Sequence, residues 1–285
     1  MLEKIIDDLV KNQILPDSIS HWNELKGGTE STVGVIGTNA EPNMYILKSN
    51  NPQRIAEEVR FYQTYKLLQL LPNIQFVDPA YRFFIYDYVP GETNYCSGSK
   101  QALMYDLITH FVQHYVQPEC LEEYEWVEDP KHVDEDLSYS KSVIGSYLKD
   151  EDHLLVKDTH LYRRKRLKNE QLYVLHGDFG VHNFLFDQRK LTGIIDPIPV
   201  VGRKMYDILY AFCSSPDDLE FSILLNIVEQ LKGTSFHENE IAEDMILALY
   251  FRVATCIKHH PNDLKQYLHA WKVWKQLLKD GGGVR

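Results

Sequence analysis

Leu172-Tyr-Val-Leu-His176-Gly177-Asp178-Phe-Gly-Val-His182-Asn183-Phe-Leu-Phe-Asp187-Gln-Arg-Lys190-Leu-Thr-Gly-Ile-Ile195-Asp196-Pro197 is the stretch on which the reading of this chain turns. Phe184 to Phe186 and Leu191 to Ile195 are two short apolar runs of strand length. Asp187 to Lys190 joins them, a connection of hairpin size. Folding that hairpin brings Asn183 opposite residues near Ile194, so Asn183 and Asp196 arrive at one open end, with Asp178 on the loop just before. Two carboxylates and an amide oxygen at one mouth repel each other unless a cation sits among them. Hard oxygen donors of this kind suit magnesium, which also takes phosphate oxygens as ligands. Either aspartate alone reads more simply as a turn cap. The whole string, with its Gly and Asn at fixed offsets, reads as a functional loop.

Outward from that island the chain divides by texture. Residues 1–90 mix strand and helix signals. Leu2, Ile5, Ile6, Leu9 and Val10 recur at helical spacing. A Gly-bearing turn, Glu24 to Thr32, precedes strands expected at Thr32 to Gly37 and Met44 to Lys48. Asn51-Pro52 looks like an N-cap followed by proline in the first helical turn, opening a helix to about Leu71. A further strand, Tyr81 to Val89, ends at Pro90-Gly91. Beyond it the chain turns helical: Ala102 to Val116, Val143 to Lys168, and after the island Asp207 to Cys213, Leu219 to Leu231, Glu238 to His259 and Leu264 to Leu278. Leu121 to Asp136 carries eight acids and one lysine, and is expected to be a solvated loop or helix face. The Gly281 to Gly283 tail is expected to be disordered. The reading is therefore two domains: 1–90, with a hinge about 86–92, and 91–285.

Composition bounds the function. The chain has 285 residues, 44% apolar and 25% charged, which is ordinary globular material. A formal charge of −11 disfavours loose binding to nucleic acid or anionic lipid and favours cationic partners. Cys96, Cys120, Cys213 and Cys256 are far apart and form no CxxC pair, which points to a reducing compartment. The longest stretch free of Asp, Glu, Lys and Arg runs only from Leu107 to Pro118, too short to cross a bilayer. Acids interrupt the N-terminal apolar residues, unlike a secretory signal. Together these imply a cytoplasmic protein with neither a membrane nor a nucleic acid as its partner.

His176-Gly177-Asp178-x4-Asn183 followed by Ile194-Ile195-Asp196 resembles the catalytic and metal-binding loops of the aminoglycoside phosphotransferase family, a pattern shared by choline kinases and related small-molecule kinases. Gly202 and Asp207, before the apolar Ile208-Leu209-Tyr210-Ala211, match the family's usual sequel. The resemblance implies an α+β, bilobal, protein-kinase-like fold. Its small N-terminal lobe would hold an antiparallel sheet and one key helix, and its larger lobe would be mostly helical. It also implies ATP and Mg2+ as cofactors, with Asp178 as the catalytic base and Asn183 and Asp196 as metal ligands. His176 would be structural. His182 stands where the family usually has Gly, and no role is assigned to it.

Other segments agree on their own residues. Lys48, at the end of a strand, takes the position of a phosphate-binding lysine. A glutamate on the following helix must hold it. Ile55, Val59 and Tyr62 fall at i, i+4 and i+7 and define that helix's buried face. Glu58 lies at the margin of this face and Glu57 points away, so Glu58 is the expected partner. Ile85 to Glu92 resembles the interlobe hinge of these kinases, where the Asp87 carbonyl and the Val89 amide would read the adenine edge. The plain alternative is an edge strand ending in a Pro-Gly turn. The Gly27 to Thr32 turn, with Gly28, Thr29 and Ser31, would cover the phosphates; no Gly-Lys-Ser/Thr follows, so it is not a Walker sequence.

The expected activity is phosphoryl transfer from ATP to a hydroxyl of a small molecule, at a site between the lobes. The acid excess is compatible with a cationic acceptor such as an aminoglycoside; a choline-like, sugar or amino-alcohol acceptor fits as well. The sequence sets neither the acceptor nor the oligomeric state. Two rivals stay open. One is a kinase-like nucleotide-binding module without turnover, which would lack at least one of Lys48, Asp178, Asn183 and Asp196. The other is a metal-dependent hydrolase built on Asp106, His110 and His114 at i, i+4 and i+8, with His176, Asp178 and His182 as further ligands. It lacks an HExxH glutamate, and a partly exposed polar face explains the three more simply.

Overall fold

The computed structural model describes residues 2–16, 18–25, 31–167, 170–232 and 237–280. The chain forms two compact units: Met1–Thr93 with Asn183–Ile198, and Asn94–His182 with Pro199–Arg285. The sequence pattern places the boundary at residue 90 and leaves the hairpin in the larger part. The structure groups that hairpin with the smaller unit, because its edges are bonded there: Phe186 and Glu92 exchange backbone hydrogen bonds at 2.9 and 3.0 Å, and the Ile194 N–H donates to the Leu70 carbonyl at 2.7 Å.

The smaller unit is a five-stranded antiparallel sheet in the order β1-β2-β3-β5-β4. The strands are β1 (His21–Leu25), β2 (Thr32–Gly37), β3 (Tyr45–Ser49), β4 (Ile74–Val77) and β5 (Phe83–Asp87). Strand parity decides which side chains face which way. Leu47, Phe83 and Ile85 share one face with Ile36, and pack with Ile6 and Leu9 of α1 (Leu2–Lys11). On the other face Lys48 pairs in register with Phe84 and Ile46 with Tyr86. That face meets α2 (Pro52–Thr64), whose buried residues are Ile55, Glu58, Val59, Phe61 and Tyr62. Tyr62 stacks on Tyr86 with ring centroids 6.0 Å apart. The Asn51 side chain caps α2 by accepting the Arg54 N–H at 2.9 Å. The helix stops at Thr64, short of the expected Leu71. Leu67 is 88% exposed, so the apolar run that suggested a longer helix buries only part of itself.

The hairpin consists of β7 (Phe184–Asp187) and β8 (Lys190–Ile194), with Phe184 opposite Ile194. Gln188 and Arg189, the two residues between, both have positive φ (47° and 68°), as the tight turns that match strand twist require.

The larger unit is built on helices: α3 (Lys100–His110), α4 (Pro130–Ile144), α5 (Asp150–Leu167), α6 (Lys204–Cys213), α7 (Phe221–Val228), α8 (Glu238–His259) and α9 (Leu264–Asp280). One small ladder interrupts them, β6 (Tyr173–Leu175) paired antiparallel with β9 (Val200–Gly202). At Gly202 an added Cβ would come within 2.8 Å of a Val127 methyl and 2.9 Å of a Leu175 methyl, so a larger residue would have to displace those side chains. The buried indoles of Trp271 and Trp274 anchor α9; Trp274 donates to the Leu219 carbonyl at 2.7 Å.

Two expectations change in this unit. The segment Val143 to Lys168 is not one helix, because α4 ends at Ile144 and Gly145, at φ +49°, reverses the chain before α5. The acidic run Leu121 to Asp136 is not wholly solvated either. Glu128 is buried and bound by two arginines, Arg203 at 2.7 Å and Arg163 at 3.3 Å. Among the described residues no helix is long and apolar enough to cross a membrane.

Candidate active site

The smaller unit carries a chain of three charges. Lys48, 4% exposed, extends from β3 toward α2, and its Nζ lies 2.7 Å from Glu58 Oε2 and 3.0 Å from Asp196 Oδ1. Register explains the first contact: Lys48 sits on the sheet face that α2 covers, and Glu58 is on the covered side of α2. Glu57 turns outward, to Gln53 at 3.0 Å and Arg54 at 3.4 Å. Burial raises the Glu58 pKa, and the Lys48 ammonium offsets that rise.

Asp196 follows β8. Its backbone is left-handed, φ +56°, a conformation uncommon outside glycine that aspartate and asparagine adopt more readily than other residues. Two contacts hold it. The Ile195 N–H donates to the Asn183 carbonyl at 3.0 Å, which fixes Asn183 and Asp196 at the same end of the hairpin. The Lys48 ammonium also holds the Asp196 carboxylate at 3.0 Å, and the neighbouring Tyr62 is a buried side chain whose pKa burial raises. The Asp196 carboxylate remains 40% exposed while Asn183 is buried. One end of the hairpin thus offers an amide and a half-exposed carboxylate, hard donors that fit a small divalent ion and leave room for water and phosphate oxygens.

The segment expected to read adenine follows β5. The Asp87 carboxylate is occupied by Asn73 at 3.1 Å and Gln75 at 2.7 Å, and its N–H donates to the Asn73 carbonyl at 3.0 Å. The Tyr88 N–H closes the sheet on the Met44 carbonyl at 2.9 Å. Among the described residues no acceptor lies on the Val89 N–H. Ser31 stands half-buried just before β2. Gly28 and Thr29 lie outside the described residues.

The larger unit carries Asp178. Its Oδ1 accepts the Tyr210 hydroxyl at 2.6 Å, and His182 Nε2 lies 3.2 and 3.1 Å from its two oxygens. Burial and the Asp178 charge both hold the Tyr210 pKa above its ordinary value, so Tyr210 keeps its proton and donates it. The loop beneath is anchored by Asp207, which is fully buried. Its carboxylate accepts the Tyr115 hydroxyl at 2.6 Å, the His176 N–H at 2.8 Å and the Gly177 N–H at 3.2 Å. Presenting two successive N–H groups to one carboxylate takes the Gly177 φ of +82°, which glycine adopts freely. Phe179 stacks on Phe111, centroids 5.5 Å apart, and fixes the other side of the loop.

Beside Tyr210 lies a cavity of about 390 Å3 within the larger unit, walled by residues of α4, α5, α6 and α8. Tyr139, Tyr206, Tyr210 and Phe251 give it aromatic walls, and Glu128 and Asp136 reach it from the acidic run. No sequence pattern gives Tyr210 a place beside Asp178 or marks this cavity. Tyr210 is thirty-two positions from Asp178, and only the folded chain relates them.

Asp106, His110 and His114 do not share one helical face: α3 ends at His110, and His114 belongs to a separate 3-10 turn, Val112–His114. Among the described residues no three His, Cys, Asp or Glu side chains gather into a metal-binding group.

A family model for the phosphotransferase enzyme family (APH) matches residues 21–197, well over half of the chain. The chain belongs to the phosphotransferase enzyme family. Comparison with curated proteins gives no match. Among solved structures, macrolide 2'-phosphotransferase MphH from Brachybacterium faecium is similar with TM-score 0.62 and 13% identity, over 94% of this chain and 97% of that one. Choline kinase from Cryptosporidium parvum gives TM-score 0.64 and 13% identity, over 99% and 97%. A thermostable mutant of aminoglycoside phosphotransferase APH(4)-Ia, in complex with ADP and hygromycin B, gives TM-score 0.58 and 11% identity, over 98% and 99%. At these identities the likeness is one of fold: the phosphotransferase family's bilobal α+β, kinase-like fold extends over nearly the whole chain.

Proposed function

We propose that this protein transfers the γ-phosphate of ATP to a hydroxyl group of a small molecule. The observation that carries the reading is Lys48, a buried ammonium gripped by Glu58 and shared with Asp196. A buried cation held beside a half-exposed carboxylate is what a triphosphate and its metal require. ADP bound to one structural relative supports nucleotide use.

In this reading Lys48 grips the phosphates and Glu58 fixes the lysine. Asn183 and Asp196 would hold magnesium, which supplies charge neutralisation at the phosphate oxygens. The Asp87 carbonyl and Val89 N–H would receive the adenine edge, with Gly28, Thr29 and Ser31 over the phosphates. Asp178 orients the acceptor hydroxyl and takes its proton as the oxygen bonds to the γ-phosphorus. The bond from that phosphorus to its bridging oxygen breaks, and ADP leaves with the electron pair.

A binding module without turnover is the weaker reading, since Lys48, Asp178, Asn183 and Asp196 are all present. A cytoplasmic setting belongs to the proposal, supported by four unpaired cysteines. Calorimetry with ATP and magnesium tests the reading. Wild type should bind, and Lys48→Met should lose most of the affinity. Equal binding by both, or none by wild type, would refute it.

A further inference from the structure

The cavity beside Tyr210 is large enough for a small acceptor and shares that tyrosine with Asp178, and its charges limit what it accepts. Four of them cancel. Arg203 binds Glu128 at 2.7 Å and Asp244 at 2.9 Å, and Arg163 reaches Glu128 at 3.3 Å, with all four side chains buried. Two cations face two anions there, and a ligand sees them as a neutral wall.

Three charges remain on the lining: Asp136, Arg252 and Lys258. The partners of Arg252 are neutral. Its Nε donates to the Tyr267 hydroxyl at 3.0 Å and its Nη2 to the Ser214 carbonyl at 2.9 Å, and the guanidinium lies 5.2 Å from the Tyr267 ring centroid. Lys258 donates to the Tyr139 hydroxyl, and its Nζ lies 5.0 Å from that ring's centroid. No carboxylate lies within 4.0 Å of either cation among the described residues. Arg252 is also tied to the Asp178 loop, because the hydroxyl of the same Ser214 accepts the Val181 N–H at 3.2 Å. On the lining two cations then stand against one carboxylate, and Asp178, held by Tyr210, adds a second negative charge at the end where the hydroxyl must arrive.

A net acidic chain therefore gathers two cations with only neutral partners, Arg252 and Lys258, on the lining of one cavity. A cation entering it gives up its water to meet Arg252 and Lys258, whereas an anion exchanges water for charge-assisted hydrogen bonds. Resting on the phosphotransfer reading, we infer that the acceptor is a hydroxylated small molecule bearing an anionic group, a carboxylate or a phosphate. Arg252 and Lys258 hold the anion and direct the hydroxyl to Asp178. The aromatic walls take an uncharged carbon frame.

The test is a panel of matched acceptors with ATP and magnesium: glycerate and glycerol, ribose 5-phosphate and ribose, then choline and an aminoglycoside. The first pair reads a carboxylate and the second a phosphate. The expected result is a kcat/KM at least about ten-fold higher for an anionic member than for its neutral twin, with both cationic compounds below. Lys258→Gln, at an exposed position, should raise KM for the anionic acceptor about ten-fold with a smaller effect on kcat. Arg252→Lys, which keeps the charge, should lose less than Arg252→Gln. If no member is phosphorylated, heat denaturation of the ADP-saturated enzyme decides. Anionic members should raise Tm in wild type and not in Lys258→Gln. Preference for choline or the aminoglycoside, equal use of the twins, or Tm shifts that ignore Lys258 would overturn the inference and leave phosphotransfer standing. Failure to bind ATP would instead remove the reading beneath it.

Discussion

Replacing Asp207 by asparagine alters the anchor of the His176–Asp178 loop without changing its size. The carboxylate accepts three hydrogen bonds, two on Oδ2 and one on Oδ1. An amide has one acceptor oxygen, so the Gly177 N–H would face an NH2 group and lose its partner. A buried donor left unpaired costs about 1–3 kcal/mol. Against that runs the cost of burying the charge, which pushes the Asp207 pKa up to about 6 from 3.8. A carboxyl raised on folding stabilises the fold fully below its unfolded pKa, and loses that contribution as pH rises through the folded value. The whole effect is about 3 kcal/mol, and about 1.4 kcal/mol of it falls between pH 5 and 8. Asparagine does not titrate. Asp207→Asn should therefore be less stable than wild type at pH 5, by a gap that shrinks by about 1.4 kcal/mol at pH 8. Urea denaturation of both proteins at the two pH values measures this. A gap that stays constant or widens with pH would refute the account of Asp207 as a charge held at a cost.

Lys48→Ala should abolish phosphotransfer and Glu58→Ala should impair it less, while Glu57→Ala stays near wild type; a damaging Glu57→Ala beside a silent Glu58→Ala would overturn the pairing. Tyr210→Phe removes a hydrogen bond to a charged acceptor, worth about 1.5–3 kcal/mol, so kcat should fall about ten- to a hundred-fold while the thermal midpoint stays within a few degrees. Arg203→Ala leaves Glu128 and Asp244 with Arg163 as their main partner, and breaking a buried ion network this way costs about 3–5 kcal/mol, read as a lower urea midpoint.

Where hydrophobic pattern and local chemistry agree, the fold is legible in the amino-acid sequence. The apolar runs around Asp187 to Lys190 announce the hairpin, and Asn51-Pro52 announces the start of α2. What escapes is whatever lacks a local signal. β1 reads as part of a turn because, apart from His21, its side chains are exposed and show no alternation. β4 is four residues long, between Pro72 and Pro79. β6 and β9 pair across the hairpin itself, a contact no window of sequence contains. The site divides in the same way. Lys48, Glu58, Asp178, Asn183 and Asp196 stand in a recognisable order along the chain, and helix periodicity separates Glu58 from Glu57. Tyr62, Tyr210 and the neutralised wall of the cavity are products of tertiary packing. Net charge says little about the acceptor's sign, since many of the acids that dominate the total are on the surface or already paired.

In the proposed reaction phosphotransfer depends on Asp178, and Asp178→Asn would keep its shape while removing the charge proposed to take the acceptor's proton. The measurement is transfer of label from γ-labelled ATP into the small-molecule fraction of a metabolite extract, by wild type and by the variant, with nucleotide affinity measured on the same preparations. Wild type should move label into a phosphorylated small molecule. The variant should do so about a hundred- to ten-thousand-fold more slowly, with ATP affinity nearly unchanged. Label that stays in ATP with wild type, or passes to the acceptor as fast with Asp178→Asn, would contradict the account.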